Sequence, residues 1–372
     1  MHPALEEATI EIIVASGQQQ QTSLFIVHDE PLIQPCANQF MEGDQMQHRN
    51  TFTKLAFTLG AFLAAATSQN ADASPQSGIT LDIAAGAERW SGDTTYQIGG
   101  KFADAMTGES GTLHFPISEL EWPLDVWMAG IDLGLHLGNS FTINGALKKN
   151  VSDPDDPMKD SDWAIAYIDG LPVDVYSESD ITSFDAAIYD INAEWTIARP
   201  GITAISIGVG HMKQEFEYEA SLNFQEAYIP VYGTYRITGD DRTAITYDIT
   251  YKMTYFLVGF DVQFGPATKM ETQFAYSPLT DAEDEDHHLL RENGGKISKG
   301  EMDDNDKAYM LEVSFRHDFT PMLFVEAGAH FTKIEVEGIQ AQVYGIGEPI
   351  GIIEEKTESN QLSEFLRIGI AL

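Results

Sequence analysis

Beyond residue 74 the chain alternates apolar and polar residues with a period of two, run after run, as half-buried β-strands do. Between Ile188 and Ile197, the residues Tyr189, Ile191, Ala193, Trp195 and Ile197 interleave with Asp190, Asn192, Glu194 and Thr196. Ile245, Tyr247, Ile249, Tyr251, Met253 and Tyr255 repeat the pattern against Asp248, Thr250, Lys252 and Thr254. Leu366, Ile368, Ile370 and Leu372 do so again against Arg367, Gly369 and Ala371. In a soluble sandwich each apolar face would point inward; in a membrane barrel it faces lipid and the polar face lines the lumen.

The connections separate these two possibilities. Short turns at Arg199-Pro200-Gly201, Phe264-Gly265-Pro266 and Phe319-Thr320-Pro321 alternate with acidic stretches near 152–180, 220–244, 280–305 and 339–360. Short turns at one end and long loops at the other are the habit of outer-membrane barrels, and the runs number about ten. The expectation is an all-β, ten-stranded antiparallel transmembrane β-barrel with long extracellular loops.

The amino-terminal part fits an exported protein. Met46 opens a short segment with Arg49 and Lys54, and Leu55 to Ala66 is apolar over about the length of a signal-peptide core. Ala71-Asp72-Ala73 then supplies small residues for cleavage before Ser74. The alternative is a buried helix of a cytoplasmic domain. Residues 46–73 are therefore expected to be a signal peptide and 74–372 the barrel. Residues 1–45 show no matching periodicity and are expected to be a misannotated start or an unstructured extension, being too short to bury much core. No apolar run reaches the roughly 18 residues of a membrane-spanning helix. A spanning chain must then be a closed barrel, because backbone groups in lipid need partners within the protein.

Charge narrows the partners. Of 372 residues, 58 are acidic and 21 basic, a formal net charge of −37. Phosphate backbones need Lys and Arg, so nucleic acid is excluded as a partner. The acidity fits a halophilic surface and attraction of cationic substrates equally well. The single cysteine, Cys36, lies upstream of Ser74, so no disulfide and no cysteine nucleophile belong to the expected barrel.

Two constellations could carry chemistry: Met158-Lys159-Asp160-Ser161-Asp162-Trp163 and Asp284-Glu285-Asp286-His287-His288. On an extended strand tip, residues two apart share a face, so Asp160 faces the lumen with Asp162, and Asp286 with His288. Trp163 has the opposite parity. A carboxylate beside an imidazole orients it and raises its basicity, which suits a base that activates water. Two close carboxylates resist double ionisation, so one can keep a proton. Asp-x-Asp also occurs at Asp153/Asp155 and Asp304/Asp306. A solvated acidic loop, or calcium held by the 153–162 cluster, is the plainer reading of any one pair.

Together these segments resemble the omptins, ten-stranded outer-membrane proteases. The resemblance runs over nearly all of 74–372. It is carried by Asp82-Ile83 with Gly86, Ile117-Ser118-Glu119-Leu120-Glu121-Trp122, Lys159-Asp160-Ser161-Asp162-Trp163 and the stretch from Ser277 to His288. It implies that Asp160 and Asp162 form an aspartate couple and Asp286 and His288 a catalytic dyad. His288 would deprotonate a water held against the couple. It also implies cleavage beside basic residues, with Asp284 and Asp93 as the acids of the substrate pocket, and no cofactor or metal. Peptides or proteins with basic residues, and outer-membrane lipid, are the implied partners. Where the family carries arginines for lipopolysaccharide, this chain has Glu215 and Thr250, which speaks against dependence on that lipid. The last residue is Leu372 rather than an aromatic. The reading that follows is an outer-membrane endopeptidase with its site facing the exterior. The competing one is an inactive barrel of the same fold, acting as an adhesin, receptor or structural protein. A general diffusion pore ranks below both, because a narrow barrel fills with its own side chains.

Overall fold

Strand follows strand from Ile79 to Ala371, and no helix occurs among the described residues. The computed structural model describes residues 78–163, 173–229, 233–291 and 293–372. The expected signal peptide and the 1–45 extension lie outside them.

In chain order the strands begin with β1 (Ile79–Asp104), β2 (Ser110–Thr112), β3 (Ser118–Pro123), β4 (Trp127–Leu137) and β5 (Phe141–Asn150). Then come β6 (Met158–Asp162), β7 (Val175–Ala198), β8 (Thr203–Ile229), β9 (Gly233–Thr238) and β10 (Thr243–Gln263). The last four are β11 (Thr268–His288), β12 (Lys296–Asp318), β13 (Leu323–Tyr344) and β14 (Pro349–Ala371). All pairings are antiparallel. They run β1–β4–β5–β7–β8–β10–β11–β12–β13–β14 and return to β1, so the sheet closes on itself. At the upper end the wall between β1 and β7 changes hands: β3 and β6 continue where β4 and β5 stop. Short β2 and β9 pair onto β1 and β8.

Which face is apolar reverses along the strands. In the lower part large apolar side chains point outward and are exposed, and register makes them one belt. Trp195 stands opposite Ile207, Ile207 opposite Val258, and Val258 opposite Phe274. Phe274 then meets Leu311, Leu311 meets Phe331, and Phe331 meets Leu362. All seven are at least 38% exposed, which for such side chains in one continuous band demands an apolar surrounding. Above the belt the apolar face turns inward. Ile245, Tyr247, Ile249, Tyr251 and Met253 of β10 are buried, while Phe256, Val258 and Phe260 below them are exposed. The outward face expected for the 245–255 segment is thus corrected. Register shifts between Thr254 and Phe256, where the two regimes meet.

The upper interior is a packed aromatic core. Trp122 stacks on Tyr247 at 5.1 Å and lies against Tyr218 at 5.0 Å, and Tyr247 stacks on Tyr96 at 5.4 Å. The lower interior is polar, with a cavity of about 860 Å³ lined by Asp82, Asp132, Lys148, Glu312, Arg316 and Arg367 among others. Between them Arg367 bridges Glu88 at 3.3 Å and Asp132 at 3.2 Å, and Lys148 reaches Glu88 at 2.7 Å.

The acidic stretches are mostly not loops. β11 runs on to His288 and β12 starts at Lys296, while β13 and β14 are joined across 345–348. The alternation persists there, with Ala282, Asp284 and Asp286 buried and Asp281 and Glu283 exposed. Carboxylates on the watered face disguise strands as loops. Among the described residues, an irregular connection at 151–157 opens the 152–180 stretch.

Candidate functional site

The upper end of β11 positions the first group. Asp284, Asp286 and His288 share its inner face, above the apolar belt, while Glu283 and Glu285 point outward and pair with Lys252 at 2.7 Å and Lys299 at 2.8 Å. His288 Nε2 lies 2.9 Å from Asp286 Oδ2, and the Tyr96 hydroxyl donates to the same oxygen at 2.7 Å. Asp286 Oδ1 is buried without a hydrogen-bond partner. Burial works to raise the Asp286 pKa, but the imidazole, Lys296 and the Tyr96 hydroxyl outweigh it and hold the carboxyl below its ordinary value. Burial pushes the His288 imidazole below its ordinary value; Asp286 opposes this, and Arg291 and Lys296 add to it.

The second group comes from β6, whose neighbours are β3 and β7. Asp160 lies opposite Leu120 and Ser177, and Asp162 opposite Ser118 and Val175. Asp160 and Asp162 take the inner parity of buried Met158, and Lys159 pairs with Glu121 at 2.6 Å on the other side. Burial, then the charge of Asp162, pushes the Asp160 carboxyl well above its ordinary value, with Asp286 adding to the effect. Asp160 Oδ1 is also buried and unpartnered. The closed sheet therefore brings Asp160, Asp162, Asp286 and His288 to one place, with two carboxylate oxygens unengaged. That arrangement can hold a water between a base and a carboxyl that keeps its proton.

Asp284 lies one step below the dyad. It accepts from the Tyr247 hydroxyl and from the Gly300 amide, both at 2.9 Å. Opposite stands Glu355 of β14, which accepts from Gln340 at 2.8 Å. A Cβ on Gly300 would meet carboxylate oxygens of both Glu355 and Asp284, so the two acids converge over a residue without a side chain. Burial is the main cause that pushes Asp284 up to about 7, and burial with the charge of Asp284 drives Glu355 well above its ordinary value. The pair carries a shared proton when no cation is present.

Asp93 does not join this group. Buried Trp90, Thr94 and Tyr96 set the inner parity of β1, and Asp93 has the other, with Thr95 donating to it at 3.3 Å and Glu121 and Lys159 nearby. The inward place belongs to Thr94, whose hydroxyl lies 2.5 Å from that of Tyr251. Two residues that sequence reasoning passed over stand at the site instead: Glu355 and Lys296. Glu355 sits in a run, Glu354 to Asn360, without an apolar face to reveal its parity. Lys296 becomes legible once the hairpin turn is placed, because it pairs directly with His288. Among the described residues no group of His, Cys, Asp and Glu could hold a metal ion.

Comparison with known proteins bears on fold and family. The outer-membrane protease OmpT from Escherichia coli superposes with a TM-score of 0.58 at 14% identity, covering 80% of this chain and 99% of that one. The translocator domain of the autotransporter NalP from Neisseria meningitidis gives a TM-score of 0.34 at 8% identity, covering 87% of this chain and 97% of its own. No curated protein sequence matches. The fold is thus all-β and OmpT-like, the barrel fold of an outer-membrane protease. The family model described as Omptin family matches residues 109–370. That span takes in β6, the whole of β11 and Glu355, and this chain belongs to the omptin family.

Proposed function

We propose that this protein is an outer-membrane endopeptidase that cleaves peptides and proteins beside basic residues. The observation that carries the reading is the meeting of the Asp286–His288 dyad and the Asp160–Asp162 couple across the closed sheet. With Nε2–H donated to Asp286, the lone pair of Nδ1 is free to take a proton from water. The couple holds that water from the other side, and protonated Asp160 donates a hydrogen bond. Water attacks the carbonyl carbon, its proton passes to His288, and the imidazolium returns a proton to the leaving amine. The wall is read as a ten-stranded transmembrane barrel, with the apolar belt in lipid and the taller, water-facing strand ends outside the cell. Residues 74–372 form it after removal of the signal peptide. Glu215 and Thr250, a cross-strand pair on the outer face, offer no cation for lipid phosphate, so lipopolysaccharide is not required.

The test is cleavage of a quenched dibasic peptide by the purified protein, with and without lipopolysaccharide. Cleavage in both arms is expected; none in either would leave an inactive barrel that acts as an adhesin or receptor. The acid limb of kcat/KM should lie below about pH 6.5, the ordinary imidazole value, because a lowered pKa keeps His288 unprotonated further into acid. Activity is then lost as pH falls through the folded value, and a limb at or above 6.5 counts against His288 as the base.

The basic preference is assigned to Asp284 with Glu355, not Asp93. An arginine or lysine side chain replaces their shared proton with a full charge, and carboxylate pairs receive guanidinium well. Asp284→Asn or Glu355→Gln should lower the preference for Arg over a neutral residue about tenfold or more, with kcat changed less. Asp93→Asn should leave preference unchanged. An unaltered preference in Glu355→Gln would remove that residue from the pocket.

A further inference from the structure

Lys296 is the first residue of β12, on its inner face with buried Ser298 and Gly300. It stands directly opposite His288 on β11 and opposite Tyr344 on β13. Its charge is felt by Asp160, Asp286 and His288, and it feels Asp162 and Arg291 in return. Yet no carboxylate comes within ion-pair distance of its ammonium among the described residues, whereas every other described lysine is paired, such as Lys299 with Glu285 at 2.8 Å. A lysine drawn into the interior without a partner needs one supplied from elsewhere. On the endopeptidase reading, the water and the scissile peptide bond lie between it and the facing carboxylates.

We propose that Lys296 is a further catalytic residue, whose ammonium donates a hydrogen bond to the scissile carbonyl oxygen and stabilises the oxyanion that forms on it. This rests on the endopeptidase reading above. When the water oxygen bonds to the carbonyl carbon, the carbonyl π electrons move onto its oxygen and the water proton goes to His288. Lys296 keeps its own protons throughout and only donates. When the carbon–nitrogen bond breaks, the electrons return and His288 protonates the amine. An ionised carboxylate at the gap, such as Asp286, is on the wrong side of this chemistry, because it would repel an oxyanion. A cation must face the oxyanion, and Arg291, exposed on the hairpin, is less enclosed than Lys296. Burial first, then Arg291, lowers the Lys296 pKa to about 8, against the opposing pull of Asp286, Asp162 and Asp160. The ammonium therefore loses its proton in a range where hydrolysis can still be measured.

The experiment uses the detergent-purified protein expressed from the full chain, the quenched dibasic peptide, and the variants Lys296→Met and Lys296→Arg. Lys296→Met should lower kcat about 100-fold, the usual effect of losing one oxyanion donor, with KM within about threefold of wild type. Wild-type kcat should fall on an alkaline limb near pH 8; Lys296→Arg should recover much of the rate and carry that limb out of the range. Heat-modifiable migration on gels checks that each variant folds, and the charge-preserving arginine keeps the test open if methionine does not. Unchanged kcat in Lys296→Met, a change confined to KM, or an alkaline limb that stays in place in Lys296→Arg would each overturn the assignment. Wild-type protein that cleaves nothing overturns the endopeptidase reading and this one with it. Active wild type with an equally active methionine variant overturns only the role of Lys296.

Discussion

Replacing His288 with alanine is expected to lower kcat by roughly 10³-fold, in the range that a positioned general base contributes. The expectation follows from the surroundings rather than from the residue type. His288 is held through Nε2 by a carboxylate that is itself fixed by the Tyr96 hydroxyl at 2.7 Å, so the imidazole has one orientation. Two neighbouring carboxyls are poorer candidates: Asp286 is held below its ordinary range, and Asp160 is driven the other way. The fold should survive, because the side chain lies at a strand end, above the aromatic core. The measurement is peptide cleavage alongside heat-modifiable migration. Normal migration with wild-type turnover would remove His288 from the mechanism.

Trp122→Ala should cost about 3–5 kcal/mol of stability, the usual consequence of emptying a large aromatic site in a packed interior. Trp122 is fully buried and stacks on Tyr247, which stacks in turn on Tyr96. These two tyrosines hold Asp284 and Asp286 by their hydroxyls. Loss of the indole therefore reaches the pocket and the dyad together, and turnover and basic preference should both decline in whatever protein remains folded. Unfolding in urea, followed in detergent micelles, gives the first effect; kinetics of the folded fraction gives the second. A stability change below about 1 kcal/mol would show that the stack is not a support.

Much of this was legible in the chain, and for one reason. A strand repeats every two residues, so Tyr189 to Ile197 declares two faces, and Asp160 with Asp162, or Asp286 with His288, must share one. Periodicity does not say which face is inside. The run from Ile245 to Tyr255 looks like that from Tyr189 to Ile197, yet one buries its apolar side chains and the other exposes them, because their surroundings differ. The resemblance implies a pocket role for Asp93, whereas Trp90, Thr94 and Tyr96 fix the opposite parity. Glu355 was hidden because its inner-face neighbours Thr357, Ser359 and Gln361 are polar too, which leaves no apolar side to count from. Lys296 required the length of a hairpin turn, which alternation alone does not give.

The two halves of the proposed catalytic group belong to strands that are not neighbours. β6 meets β11 only through β7, β8 and β10 on one side, or through β3, β1, β14, β13 and β12 on the other. A chain still being threaded through the periplasm, or a sheet laid down hairpin by hairpin, holds each half but not their meeting. In the proposed endopeptidase, hydrolysis would therefore wait for the seam between β1 and β14 to close. On that reading the open sheet is itself the latent form.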